Sequence, residues 1–436
     1  MLALTRSIVL LALLSWCVSG ARAQDDFDRE PILYSTSVES NPITELQGRI
    51  DAGEVALRFE DHFGYLRSLL EKLEIPESSQ MLVFSKTSLQ RQKIAPRTPR
   101  SIYFNDDVYV GFCQSGTKLE VSAVDTKLGT CFYTLDQEPN ERPRFVRQTE
   151  SCLTCHASSG NQGVPGHVVR SVFTDSAGLP MLAEGSYRVD QTTPLEHRWG
   201  GWYVTGTHGE QTHLGNLIVR TRELERPVDN AKGQNVVDLA KHVRSDNFLT
   251  PHSDLIALMV LEHQAQAHNY LTRANFLARQ ALYAESELNR ELGEPADHRW
   301  DSTNSRIRNA GDPLVKYFLM VDEAKLTSQI RGTSNFADEF SSRGPKDSHG
   351  RSLRDLDLQT RLFRYPCSYL IYSPSFDALQ TEVREYILQK MFAVLTERDK
   401  SKEFEHLSST DRRAILEILC ETKSNLPDYW HSTSDG

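Results

Sequence analysis

Apolar positions along this chain change period twice. Between residues 43 and 73 they recur at helical spacing, with Leu57, Phe63, Leu66, Leu69 and Leu70 prominent, and Pro76 closes the stretch. From Met81 the period falls to two. Residues 81–84 read as a buried strand, and Val108, Val110 and Phe112 alternate with Tyr109 and Gly111. Residues 119–124, 130–135 and 144–147 read likewise, with turn signals such as Ser115-Gly116 between them. Further strands are expected at 167–173, 201–204 and 214–219. Beyond about residue 236 the pattern turns helical. Residues 253–292 predict one long helix, with Asp254 in its first turn and Gly293 and Pro295 at its end. Residues 376–395 and 410–420 predict a last helical pair, the second opened by a capping-box-like Ser408 and Asp411. Residues 297–311 are polar and read as a loop, and 331–350 are rich in Gly, Ser and charge.

The predicted class is α+β, an antiparallel β-rich domain followed by a helical domain. The expected divisions are a leader at 1–23, an N-terminal helical segment at 24–80, a β-rich domain at 81–235 and a helical C-terminal domain at 236–436.

The first residues change the picture of where the chain works. Arg6 precedes an apolar run at 7–18, and Ala21-Arg22-Ala23 forms an A-x-A site before Gln24. The run is short for a bilayer span, so it reads as a cleaved secretory signal peptide rather than an anchor. Bulky Trp16 argues against a lipoprotein site at Cys17. No second apolar run reaches membrane length. The expected location is periplasmic or secreted. With 436 residues, 39% apolar and 25% charged, the composition is that of a globular protein. Loss of Arg6 and Arg22 with the leader takes the formal charge from −10 to −12. Such a surface disfavours nucleic acid and suits a basic redox partner.

Seven cysteines are present. Cys113, Cys131, Cys367 and Cys420 suggest two disulfides in an oxidising compartment, with Cys113–Cys131 the preferred local pair because both fall in adjacent predicted strands. Cys152-Leu153-Thr154-Cys155-His156 carries the most specific chemistry. It reads C-x-x-C-H, the attachment signature of a c-type haem. Two thiols three positions apart each add across one vinyl group of a porphyrin, and the following histidine binds the iron. A thioredoxin-like dithiol and a plain buried cysteine pair are the rivals. Export favours haem, because covalent attachment takes place after it. Cys152, Cys155 and His156 are therefore the expected ligands of one covalent haem c.

The opposite side of the iron is open to several groups. His167, Met181, His197, His208 and His213 lie nearest in sequence. His213 and then His208 are preferred, because Trp199, Trp202, Tyr203 and several glycines around them suggest a flat apolar wall. His263 is a further candidate on an otherwise apolar helix face, one turn after Met259. The bland alternatives are aromatics that pack a hairpin and a histidine that satisfies a core. There is no second haem motif, P-loop or dinucleotide fingerprint.

Several strings resemble a family of exported bacterial cytochrome c domain-containing proteins, monohaem and without an assigned activity. They are PRSIYFNDDVYVGF at 99–112, ESCLTCH at 150–156, RWGGWYVTGTHG at 198–209 and RYPCSYLIYSPSFDAL at 364–379. The resemblance spans most of the mature chain and implies haem c on Cys152, Cys155 and His156. It implies no substrate and no distal ligand. Electron transfer is the broad expectation. A peroxidase- or oxidase-like haem enzyme with an open distal site and a haem-based sensor module are the alternatives.

Overall fold

The structure is a computed structural model, described for residues 26–221, 224 and 226–431. The signal-peptide reading lies outside the described residues. Six strands, β1 (Met81–Val83), β2 (Arg100–Phe104), β3 (Val108–Phe112), β4 (Lys118–Asp125), β5 (Gly129–Asp136) and β6 (Phe145–Arg147), form one antiparallel sheet in chain order. Short turns join β2 to β3, β3 to β4 and β4 to β5, a longer connection joins β1 to β2, and alternation along each strand sets two faces.

One face carries Val110, Val121 and Tyr133. It packs against Ile43 and Leu46 of α1 (Pro42–Asp51) and against Leu66 and Leu69 of α2 (Leu66–Lys72). The helical period at 43–73 thus forms two helices rather than one. Asn41 caps α1 by accepting from the Ile43 and Thr44 N–H groups, with Pro42 in the first turn.

The other face carries Tyr109, Ser122 and Phe132 in one cross-strand row. The motif segment, with α3 (Leu153–His156), lies over it, as does the long helix α4 (Leu255–Leu292). Gly129 lets α4 come close: its φ is +71°, and a Cβ there would collide with Thr272. α4 runs as the pattern predicts, from an N-cap at Asp254 to a left-handed C-cap at Gly293.

Helices α5 (Asp301–Phe318), α6 (Phe336–Ser342), α7 (Pro374–Asp377), α8 (Thr381–Leu395) and α9 (Ser409–Thr422) complete the C-terminal part. The Ser408–Asp411 capping box on α9 forms as expected. A single apolar core runs from Met81, Phe104 and Tyr109 through α4 to Trp430. The sheet and the helices therefore share one interior across residue 236. Among the described residues, no helix is long and apolar enough to cross a membrane.

Four expectations differ from the fold. Residues 297–311 are not a loop, because α5 covers most of them. Ile307, Ala310, Leu314 and Phe318 are buried at helical spacing, and the polar residues form the outer face. Residues 201–204 and 214–219 form no ladder. Trp202 makes only an isolated antiparallel bridge to Val83 of β1, with the Tyr203 N–H donating to the Leu82 carbonyl, and Asn216 adds side-chain bonds to both the N–H and the carbonyl of Val204. Near them a two-stranded ladder forms from β7 (Arg170–Val172) and β8 (Ser186–Arg188). Finally, Cys113 and Cys131 do not pair. Cys131 sits opposite Ala123, which sits opposite Val108, five positions before Cys113. That is about 17 Å along the strand, whereas a disulfide needs Cα atoms within about 7 Å. Cys367 and Cys420 are also free thiols.

Candidate functional site

The C-x-x-C-H segment folds as a single helical turn. The His156 N–H donates to the Cys152 carbonyl at 2.9 Å, and the Cys155 N–H approaches the same oxygen at 3.2 Å. This turn brings both thiols and the imidazole to one end of a compact loop. Cys152 is half-buried and Cys155 is exposed.

His156 has one nitrogen held and one open. Its Nδ1–H donates to the Gly166 carbonyl at 2.9 Å. Nε2 has no hydrogen-bond partner among the described residues. A backbone carbonyl on Nδ1 fixes the tautomer that leaves Nε2 with its lone pair, the arrangement a metal-binding histidine needs. Phe132 packs against the ring, with centroids 4.8 Å apart. Burial is the main reason that the imidazole pKa lies below its ordinary value, so the ring is neutral.

Gly166 is a small residue with a large positional role. A Cβ there would run into Asn269 Oδ1 of α4. Asn269 clamps the next residue, accepting from the His167 N–H at 3.1 Å and donating to its carbonyl at 2.7 Å. The loop that presents a carbonyl to His156 is therefore bolted to the long helix. The His167 side chain turns to the sheet, where Nε2 meets Ser122 Oγ at 2.8 Å. Its ring lies 4.0 Å from that of Tyr109 and 6.4 Å from that of His156. Burial lowers its pKa well below the ordinary histidine value, and the His156 and His268 rings add to this.

The nominated distal histidines lie elsewhere. The two ring nitrogens of His263 are not free, since Nδ1 bonds Gln191 Oε1 at 2.6 Å and Nε2 bonds Ser368 Oγ at 2.8 Å. His208 and His213 pack against each other, 4.7 Å apart. His208 Nε2 accepts from the Asn235 N–H and His213 Nδ1 from the Gly215 N–H, both at 3.0 Å. His213 also packs on Trp199, whose indole N–H donates to Glu262 of α4. The motif loop docks on the same helix at Asn269, seven residues or about 10 Å further on. No ring contact or hydrogen bond joins His208, His213 or His263 to His156 among the described residues. The aromatic wall is a packed interior: Trp199 and Tyr203 are fully buried, and the Trp202 indole N–H donates to the Arg170 carbonyl at 2.8 Å.

The donor set fits a c-type haem. Two free thiols and a neutral imidazole with an available Nε2 lie on one helical turn. A buried donor without a partner, Nε of Arg100, lies on the same face of the sheet. Sequence reasoning nominated Cys152, Cys155 and His156. It missed Gly166 and Phe132, which contact His156, and Asn269 and Ser122, which hold the neighbouring His167. For Gly166 a signal existed, a glycine ten residues after the motif beside Pro165. A group of Asp347, His349 and Glu421 has metal-like spacing, but Asp347 is already paired with Arg351 at 2.6 Å.

No protein-family model matches this chain, and comparison with curated proteins and with solved structures likewise gives no match.

Proposed function

We propose that this chain is an exported c-type cytochrome that carries one covalent haem and transfers electrons. The observation that carries the reading is His156, held at Nδ1 by Gly166 and open at Nε2, on the same turn as two unpaired thiols. Cys152 and Cys155 would hold the porphyrin through thioether bonds, and His156 Nε2 would bind the iron. When bound, the haem supplies a one-electron couple. The chain's own part is to orient the imidazole, to keep it neutral by burial, and to cover one side with Phe132. Cys155 is exposed, so the porphyrin edge that it would hold is open to a partner protein. The acidic net charge suits a basic partner.

A second reading is favoured by one observation. His263 has both ring nitrogens engaged, and His208 and His213 pack against each other with His213 on Trp199, which supports a far side of the iron left to a small molecule. That is the haem-enzyme alternative. Optical spectra of the reduced protein with and without carbon monoxide separate the two. A six-coordinate transfer haem gives an unchanged Soret band. A shifted band moves the function to an open-site haem protein.

A further inference from the structure

The sheet continues past the row that touches the motif. Ser122 and Phe132 meet His167 and His156, and the next row on the same face is Gly111, Glu120 and Thr134. That row lies two residues, roughly 7 Å, along the strands. Arg100 reaches it from β2 and pairs with Glu120 at 3.0 Å. These two side chains are the charged groups that act on the His156 ring, and Glu120 also acts on Cys152.

The pair is unevenly satisfied. Glu120 is full: it accepts from Arg100 Nη1, from Ser88 Oγ at 3.0 Å, and from the backbone N–H and Nε2 of Gln90, each at 3.3 Å. Arg100 is not. Its side chain is only 17% exposed, one of its nitrogens is on Glu120, and Nε is buried without an acceptor. Arg147, Arg354 and Arg361 each also have a buried guanidinium nitrogen without a partner, but Arg100 is the one of the four whose charge acts on the His156 ring. Gly111 lies beside Arg100 without a side chain, so the floor there is flat. A Cβ at Gly111 would still find its nearest neighbour at 3.5 Å, so steric crowding does not explain the glycine.

We infer that Arg100 is the residue that receives a propionate carboxylate of the haem, with the Gly111 row of the sheet as the seat for the porphyrin edge. This rests on the cytochrome reading above. A carboxylate is the acceptor chemistry that matches the Arg100 fork, and propionates are the carboxylates a haem brings. Glu120 holds the guanidinium in place and keeps the local charge balanced. Arg100 is thus a cofactor-positioning residue whose positive charge also favours ferrous iron, so its removal leaves the ferric state better stabilised.

The test uses the full chain matured with a haem-attachment system, as wild type, Arg100→Ala, Arg100→Lys and Glu120→Gln. Intact mass first establishes one haem per chain, and its absence from wild type overturns the cytochrome reading itself. Resonance Raman spectra then report the propionate bending modes. The inference expects Arg100→Ala to move a bending mode to lower frequency and to lower the potential. Arg100→Lys keeps the potential near wild type but still shifts the mode, because the fork is lost. Glu120→Gln raises the potential. Where Arg100→Ala does not accumulate, the Arg100→Lys mode decides. Arginine variants that alter the potential but leave the bending modes at wild-type positions overturn the inference, since a distant charge would act that way.

Discussion

His263 and His156 sit in two regions built on opposite rules. Around His263, helix α4 is buried on nearly all sides, and Glu262, His263 and Gln264 all have fixed partners. Glu262 is fully buried and satisfied by Arg198 and by the Trp199 indole. His263 spends both nitrogens on Gln191 and Ser368. Around His156, one nitrogen is fixed and the other is left open, beside thiols that make no disulfide. Burial therefore does not mark a ligand. Nor does an unpartnered nitrogen alone, since His167 and His268 each have one; His156 stands apart because its open Nε2 lies on the same turn as two unpaired thiols.

The largest stability effect should come from the helical region. Arg198→Ala strands the Glu262 carboxylate in a fully buried place, and loss of one partner of such a pair costs about 3–5 kcal/mol. Chemical denaturation should show that loss with any bound pigment still covalently attached. A cost below about 1 kcal/mol would mean that water reaches the pair. His263→Ala should cost about 2–4 kcal/mol, through a cavity and two unpaired partners. It should leave the ferric spectrum unchanged, and a changed spectrum would return His263 to the iron.

Gly166→Ala sharpens the contrast from the other side. The added methyl group has to displace Asn269 and with it the carbonyl that holds His156. We expect a cost of about 1–3 kcal/mol, as for other overpacked sites. Unlike His263→Ala, it should perturb the Soret band. A further effect concerns pH. Burial pushes the Glu262 carboxyl up to about 7, above its unfolded value. A raised folded pKa means that this group's contribution is present in full below the unfolded value near 4.5 and is lost as pH rises to about 7. Thermal melts should show the wild-type slope in that window flattened by Glu262→Gln. A parallel slope in the variant would assign the pH dependence elsewhere, for example to buried Glu323, which is also pushed up to about 7.

The two regions were legible to different degrees. α4 could be read because its caps and period are local: Asp254 and Gly293 lie where the apolar spacing starts and stops. The alternation of Val108, Val110 and Phe112 likewise announced the meander. α5 was hidden because Gly311 and Pro313 sit inside it and its polar face dominates the composition. The 201–219 region reads as strand from its apolar residues, yet it pairs with β1 only through an isolated bridge at Trp202, and Asn216, Asn230 and Gln234 satisfy other backbone groups there. Three residues of the site were legible because the chemistry needs them five positions apart or closer. Their supports were not, because Asn269 lies 102 positions from His167, and Ser122 lies 45. Contacts at that separation leave no periodic trace.

The central claim is that one haem is bound through Cys152 and Cys155. The most direct measurement is the intact mass of the exported protein, matured with a haem-attachment system, beside the Cys152→Ala/Cys155→Ala double variant. The account predicts the polypeptide plus one haem for the wild type and the bare polypeptide for the double variant. A bare polypeptide mass for the wild type, with both thiols free to react, would contradict it and restore the dithiol reading.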